Sequence, residues 1–303
     1  MKKKLALLLV LSMVFAFGLT ACGSNDEPTE EPTETEVSKD TAILVVSFGT
    51  SFDDSRDITI GAVEKDIQEA FPEYEVRRAF TAQIIINKLK KESGEEIDNV
   101  TEALDRAVAD GIKNLVVQPT HLMNGLEYND LKDELEKYAD SFEKISLGDP
   151  LLTSDDDFDK VIAAITDATK DQAADEETAI VYMGHGTEAD SNKVYAEMQE
   201  KLTAAGFGNY YIGTVEAEPS LDDVVKALKE NGKYKKVVLS PLMVVCGDHA
   251  NNDMAGDEED SWKTILTGEG YEVETLMQGL GQIEAIRDIY VAHTQAAVDA
   301  LNQ

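Results

Sequence analysis

The 303 residues contain four histidines, His121, His185, His249 and His293, and three of them follow apolar, strand-like runs. His185 comes after Thr178-Ala179-Ile180-Val181-Tyr182-Met183-Gly184, and His121 after Leu115-Val116-Val117-Gln118-Pro119-Thr120. His249 lies in Val245-Cys246-Gly247-Asp248-His249-Ala250-Asn251-Asn252-Asp253, just past the run Val237–Val244. Ligands of open α/β sheets collect outside the carboxyl ends of the strands, so this placement points to a metal or proton-transfer site. Glu216, after Tyr211-Ile212-Gly213-Thr214-Val215, fits the same edge. Two imidazoles and a carboxylate form a mixed N/O donor set suited to Co, Ni, Fe or Zn. Each residue also has a plainer reading. The histidines can be hydrogen-bonded loop residues, and Glu216 can be a negative charge placed before a helix N-terminus. His293 falls inside a helical stretch and reads as structural.

Those residues need strands to carry them. Strand-like runs occur at Ile43–Phe48, Glu75–Ala79, Asn114–Gln118, Ala179–Met183, Tyr210–Val215, Lys236–Leu239 and Glu272–Leu276. Between them, helical periodicity marks Ser55–Phe71, Asn99–Asp110, Asp155–Thr169, Ser191–Ala205 and Leu221–Asn231, and Ile283–Leu301 reads as a closing helix. Alternation at this spacing predicts an α/β protein with parallel sheets covered by helices. An internal repeat divides it: Thr41-Ala42-Ile43-Leu44-Val45-Val46-Ser47-Phe48-Gly49-Thr50 parallels Thr178-Ala179-Ile180-Val181-Tyr182-Met183-Gly184-His185-Gly186-Thr187, with identity at Thr, Ala, Ile, Gly and Thr. Pro119-Thr120-His121 and Pro241-Leu242-Met243 correspond in the same way. Two similar halves, residues 41–175 and 176–303, are expected to form a cleft between their carboxyl edges, with the metal site on the second.

The N-terminus sets the compartment. Lys2-Lys3-Lys4 precedes an apolar stretch, Leu5–Phe17, too short for a confident membrane span and ordered as an export signal is. Leu19-Thr20-Ala21-Cys22 resembles a bacterial lipobox. It implies cleavage after residues 1–21, lipid attachment to Cys22 and an extracytoplasmic, membrane-anchored protein. Residues 22–40 are acidic, rich in Pro and Thr, and read as a flexible tether. The net charge is −33, from 60 acidic against 27 basic side chains. Phosphates would be repelled, which excludes a nucleic-acid partner. Of the two cysteines, a lipidated Cys22 leaves Cys246 without an intramolecular partner, so no disulfide framework is expected.

The body resembles the single-subunit anaerobic cobalt chelatases of cobalamin synthesis, the CbiK family, which act on sirohydrochlorin. The resemblance spans Ala42–Ala300. It is carried by Ser47-Phe48-Gly49-Thr50-Ser51, Arg78-Ala79-Phe80-Thr81, Gln118-Pro119-Thr120-His121, Gly184-His185-Gly186-Thr187, Gly213-Thr214-Val215-Glu216 and Gly247–Asp257. It implies the class II chelatase fold, two flavodoxin-like halves around a tetrapyrrole cleft. It places the metal ligands at His185, Glu216 and His249, with Co2+ as substrate and Fe2+ or Ni2+ as alternatives. The two histidines would also be catalytic, each able to serve as ligand and then as base. By the same resemblance Thr50, Ser51 and Arg78 would line the macrocycle. His121, entering from the first half, would touch the macrocycle or stabilise its own turn.

The export signal keeps a second reading open: an extracytoplasmic tetrapyrrole- or metal-binding lipoprotein that serves an uptake system, with a metal or tetrapyrrole transporter as partner, without turnover. A homo-oligomer is compatible with either. Anchoring through Cys22 has a direct consequence. Cys22→Ala should release the protein from the membrane fraction or leave it unprocessed, and unchanged mass and fractionation would exclude the lipoprotein reading.

Overall fold

The computed structural model describes residues 37–303; the export segment, Cys22 and the tether up to residue 36 lie outside them. Among the described residues the first half runs β1 (Thr41–Ser47), α1 (Asp53–Ile58), α2 (Ile60–Ala70), β2 (Glu75–Phe80), α3 (Gln83–Glu92), α4 (Val100–Ala109), β3 (Asn114–Pro119), α5 (Leu126–Lys137), β4 (Lys144–Leu147) and α6 (Asp155–Ala168), followed by the short α7 (Lys170–Ala173). The second runs β5 (Thr178–Gly184), α8 (Lys193–Ala204), β6 (Tyr210–Thr214), α9 (Leu221–Asn231), β7 (Lys236–Pro241), α10 (Trp262–Gly268), β8 (Glu272–Thr275) and α11 (Glu284–Leu301).

The strands form two separate four-stranded sheets, ordered β2-β1-β3-β4 and β6-β5-β7-β8, and every pairing is parallel. Both orders are the flavodoxin-like 2-1-3-4. The repeat maps onto equivalent strands: Thr41 opens β1 and Thr178 opens β5. Pro119 pairs with Val46, and Pro241 pairs with Met183, the repeat partner of Val46. Every residue of β1 and of β5 is buried, as strands covered on both faces must be. β4, α3, α5, α7 and α10 have no counterpart among the expected elements. β4 is four residues of mixed polarity, Lys-Ile-Ser-Leu.

Side-chain alternation along β1 sorts the core into layers. Ala42, Leu44 and Val46 face Leu104 of α4 and Leu131 of α5. Ile43 and Val45 face a central core that also takes Ile180 and Tyr182 from β5, Phe158 and Ile165 from α6, Met198 from α8 and Ile289 and Tyr290 from α11. A third cluster, with Val181, Val225, Leu239 and Trp262, covers the far face of the second sheet.

The central core is shared because the halves exchange their last helices. α11 follows the second sheet in sequence but lies against β3, β4 and α2 of the first. Tyr290 Oη donates to Thr120 O at 2.9 Å, Thr294 Oγ1 to Gln118 Oε1 at 3.3 Å, and Lys144 Nζ to Leu301 O at 2.6 Å. Conversely α6 packs on α8, where Lys201 Nζ meets Asp155 at 2.7 Å and Tyr182 Oη donates to Ile165 O at 3.1 Å. The division at residues 175/176 therefore separates the sheets but not their covering helices. His293 joins the exchanged pair, with Nε2 3.0 Å from Asp157 Oδ1 and Nδ1 3.1 Å from Asp149 O. Its place is structural, and it has specific partners.

Tyr290 is fully buried at this crossing. Tyr290→Ala should cost about 3–5 kcal/mol of stability, as other large-to-small aromatic truncations do. Tyr290→Phe, which removes only the hydroxyl donor, should cost about 1 kcal/mol. Denaturant unfolding of the two variants reads the difference. Equal, small losses would mean that α11 is not held in this way.

Candidate metal centre

The site is built at the carboxyl edge of the second sheet, from the turns after β5, β6 and β7. β5 ends at Gly184, where a side chain would run into the ring of Tyr195. Gly186 follows with φ +87°, and a Cβ there would stand 2.8 Å from the backbone nitrogen of Ala217. Only glycine tolerates both the left-handed backbone and that approach. Tyr195 Oη accepts the Gly186 N–H at 3.3 Å. The two adjacent turns are then joined by backbone bonds, Val215 N–H to Gly184 O at 3.0 Å and Glu216 N–H to His185 O at 2.9 Å. This brings Glu216 Oε2 within 3.9 Å of His185 Nδ1.

His249 arrives from the loop after β7 and immediately precedes a π turn, Ala250–Met254. Such single wide turns concentrate at functional sites. Here the wide turn sets Asp253 Oδ2 2.8 Å from His249 Nδ1. The loop is braced by Asn251 Nδ2 donating to Gly247 O at 2.7 Å. It also leans on the first half, where the Cys246 N–H donates to Ser55 Oγ at 3.0 Å.

The outcome is a compact donor cluster. His185, Glu216 and His249 each offer a ligand atom within 4.8 Å of the others. The two rings meet edge to face, with centroids 4.6 Å apart and planes at 89°. All three side chains are partly open to solvent. His185 Nδ1 lies 2.8 Å from Gly186 O, an atom that can only accept, so Nδ1 carries the proton and Nε2 keeps its lone pair. The Asp253 carboxylate does the same for His249. Carboxylate and carbonyl partners of this kind fix the tautomer and aim of ligating histidines. Asp253 was not singled out from the sequence, although its spacing of four from His249 was a usable signal.

The other expected residues sit on the first half. Thr50 is buried, and its Oγ1 accepts the Phe52 N–H at 3.2 Å. Ser51 beside it is half-buried. Arg78 is bound by both its Nε and its Nη2 to Glu64, with Nε at 2.7 Å from Oε1. The His121 ring is buried, with no hydrogen-bond partner at either nitrogen; its nearest charged neighbour is Glu127 Oε2 at 3.9 Å. The structure thus brings together the three donors of the second half, and holds Thr50, Arg78 and His121 in contacts of their own. Glu127, in the first turn of α5, is a further residue missed in the sequence. Burial raises its carboxyl above the ordinary value, while nearby His185 pulls it the other way. Cys246 is a free, buried thiol, and burial pushes it up to about 11, so it is protonated and unreactive at neutral pH.

Two flavodoxin-like halves with a His/Glu/His cluster at one carboxyl edge define a chelatase-type α/β protein. SirB of Bacillus subtilis, solved with Fe3+, superposes with a TM-score of 0.63 at 14% identity, over 87% of this chain and 98% of that one. CbiX, described as the terminal enzyme of siroheme biosynthesis in denitrifying bacteria, superposes with a TM-score of 0.52 at 18% identity, over 84% and 99%. The family model of the cobalt chelatase CbiK matches residues 41–299, and the chain belongs to that family. It is 36% identical to a sirohydrochlorin cobaltochelatase of Salmonella typhimurium over 85% of its length and 96% of the relative's. A second sirohydrochlorin cobaltochelatase, from Nitratidesulfovibrio vulgaris, is 32% identical over 86% and 91%.

Burial lowers His121 from 6.5 to about 4. The ring is neutral in the folded protein and gains a proton on unfolding, so its contribution is intact above pH 6.5 and is lost as pH falls towards 4. Integrated over that window, the linkage is worth about 3 kcal/mol. Denaturant midpoints between pH 7 and pH 4 should therefore fall less steeply in His121→Met than in the parent. Parallel profiles would contradict a buried, neutral ring.

Proposed function

We propose that this protein is a sirohydrochlorin cobaltochelatase, which inserts Co2+ into the tetrapyrrole and releases two protons, with His185, Glu216 and His249 as the metal-holding set. The observation that carries this reading is the convergence of those three donors in a chain of the cobalt chelatase family. The metal is substrate and must be held loosely. Three donors leave coordination positions for water and then for pyrrole nitrogens, and their partly open setting lets a hydrated ion in. Glu216 offsets part of the ion's charge. Asp253 and Gly186 O keep both imidazoles aimed through Nε2.

Insertion also demands removal of two pyrrole N–H protons. Either histidine can accept one once its hold on the ion passes to the ring nitrogens. Ser51, with the Thr50 turn, stays the polar lining proposed for the macrocycle, while Arg78 and His121 would support that wall from behind. Fe2+ and Ni2+ match the same donors.

The N-terminal pattern supports placing this chemistry outside the cytoplasmic membrane, tethered through Cys22. That address is also what favours the second reading, a tetrapyrrole- or metal-binding lipoprotein working with a transporter. Turnover separates the two.

Purified protein mixed anaerobically with sirohydrochlorin and Co2+ should form the cobalt complex, read by absorbance, faster than the uncatalysed background. His185→Ala and His249→Ala should each abolish that acceleration. Glu216→Gln should weaken Co2+ binding less, because the amide oxygen still donates. Asp253→Asn should cost about 10–100-fold in metal affinity or rate, as loss of an orienting partner does. Calorimetric Co2+ binding unchanged in the His185→Ala/His249→Ala double variant would overturn the metal assignment. A rate equal to background in the parent protein would favour the binder.

A further inference from the structure

His185 and Glu216 hang from turns that their own sheet holds together, through the backbone bonds between the β5 and β6 turns. His249 has no such support. The chain leaving β7 is bonded to β5 by Leu242 N–H to Met183 O at 2.7 Å, and among the described residues no backbone bond joins residues 243–249 to the β5 or β6 turns. Yet His249 has to meet the other two donors within one coordination sphere, so its approach must be steadied from elsewhere.

Two surfaces do this. On one side lies the segment that leads into α11. Leu280 N–H donates to Met243 O at 2.8 Å, and Gly281 N–H to Val244 O at 3.0 Å. A Cβ on Gly279 would stand 2.6 Å from Val244 O and 3.0 Å from the Cys246 nitrogen. On the other side lies the first half. Val245 packs on its cluster of Ile60, Phe80, Ile86 and Leu89, and a Cβ on Gly247 would stand 3.3 Å from Thr50 Oγ1. The buried Cys246 N–H donates to Ser55 Oγ at 3.0 Å. Among the described residues this is the one hydrogen bond between the His249 loop, residues 243–256, and the first half.

Ser55 is well placed to act as a fixed point. It is buried on α1, and its carbonyl accepts the Thr59 hydroxyl at 2.5 Å. Its neighbour Arg56, also buried, reaches Thr50 O at 3.4 Å and Glu95 at 2.8 Å. Beyond Cys246 the constraint is passed on, because Asn251 Nδ2 lies 2.7 Å from Gly247 O and 3.4 Å from Cys246 O, closing the turn that contains His249. We infer that Ser55 is a positioning residue for His249: its hydroxyl fixes the Cys246 amide, so that the third metal donor is aimed by the half of the protein that carries none of the three. This rests on the metal-holding reading of His185, Glu216 and His249, and adds to it a residue that touches neither metal nor tetrapyrrole. Without the hydroxyl a buried N–H loses its acceptor, and the loop must shift to find another.

The test uses Co2+ alone with the full chain, read by calorimetry and by the visible absorbance of the bound ion, which follows coordination geometry. Ser55→Ala should weaken Co2+ about tenfold, at the low end of what losing an orienting partner does, and should alter the absorbance bands. Ser55→Thr, which keeps the hydroxyl, should restore both. Thr59→Val removes a neighbouring buried hydroxyl bond and should lower the denaturation midpoint while leaving the Co2+ spectrum unchanged. In a His249→Ala background the Ser55→Ala loss should vanish, whereas in Glu216→Gln it should persist. If Ser55→Ala does not fold, Ser55→Cys, whose thiol is a weak acceptor, carries the same comparisons. Unchanged affinity and spectrum on loss of the hydroxyl, an equal loss in the His249→Ala background, or the same spectral change in Thr59→Val would overturn the positioning role alone. A parent protein that binds no Co2+ would remove the metal assignment and the positioning role together.

Discussion

The exchanged helices govern the rest of this structure. Each sheet needs cover on both faces, because every residue of β1 and β5 is buried. Each obtains one of its covering helices from the other half. Ile43, Val45, Ile180 and Tyr182 consequently face one continuous core rather than two, and the halves cannot rotate freely as two independently packed domains could. Rigid coupling of this kind has a chemical use. The donor set on one sheet edge and the residues of the other half are thereby held in one fixed geometry, and modest misplacement of reacting groups is costly.

Within that frame, the site is made from strand ends and the turns just beyond them. The Gly184 and Gly186 positions let the β5 turn lie close to Tyr195 and Ala217, and backbone bonds zip it to the β6 turn. The three donors are therefore set by main chain rather than by long, flexible side chains. Their partners differ in kind: a carbonyl for His185, a carboxylate on a π turn for His249. The two imidazoles are thus held by partners of different charge.

Much of this was legible in the sequence, for physical reasons. The buried parallel strands are continuous apolar runs, and the two Thr-Ala-Ile openings sit on equivalent strands because they begin equivalent units. His185, Glu216 and His249 were visible because they follow strands that can only end at one edge. Other features depend on tertiary contacts that no local pattern encodes. β4 is too short and too polar to register, and α3, Gln83–Glu92, carries three of its four apolar residues in one run, Ile84–Ile86. Tyr290 of α11 reaches the His121 carbonyl across 169 residues of chain, and the engagement of Arg78 comes from Glu64, whose role is invisible without the fold. Phe48 was read as part of a motif, but its exposure could only come from the structure.

The order in which the chain emerges gives the helix exchange a further meaning. The first sheet is complete by Leu147, but the face formed by Ile43, Val45 and Val116, covered in part by Val63 and Ile67 of α2, lacks its second cover until α11, ending at Leu301, has been made. Domains usually fold one after another as they leave the ribosome. Here the N-terminal half holds a partly uncovered apolar face until almost the last residue, so completion of the native core is deferred to the end of synthesis. The first half of such a chain cannot complete its core until its C-terminus has been made.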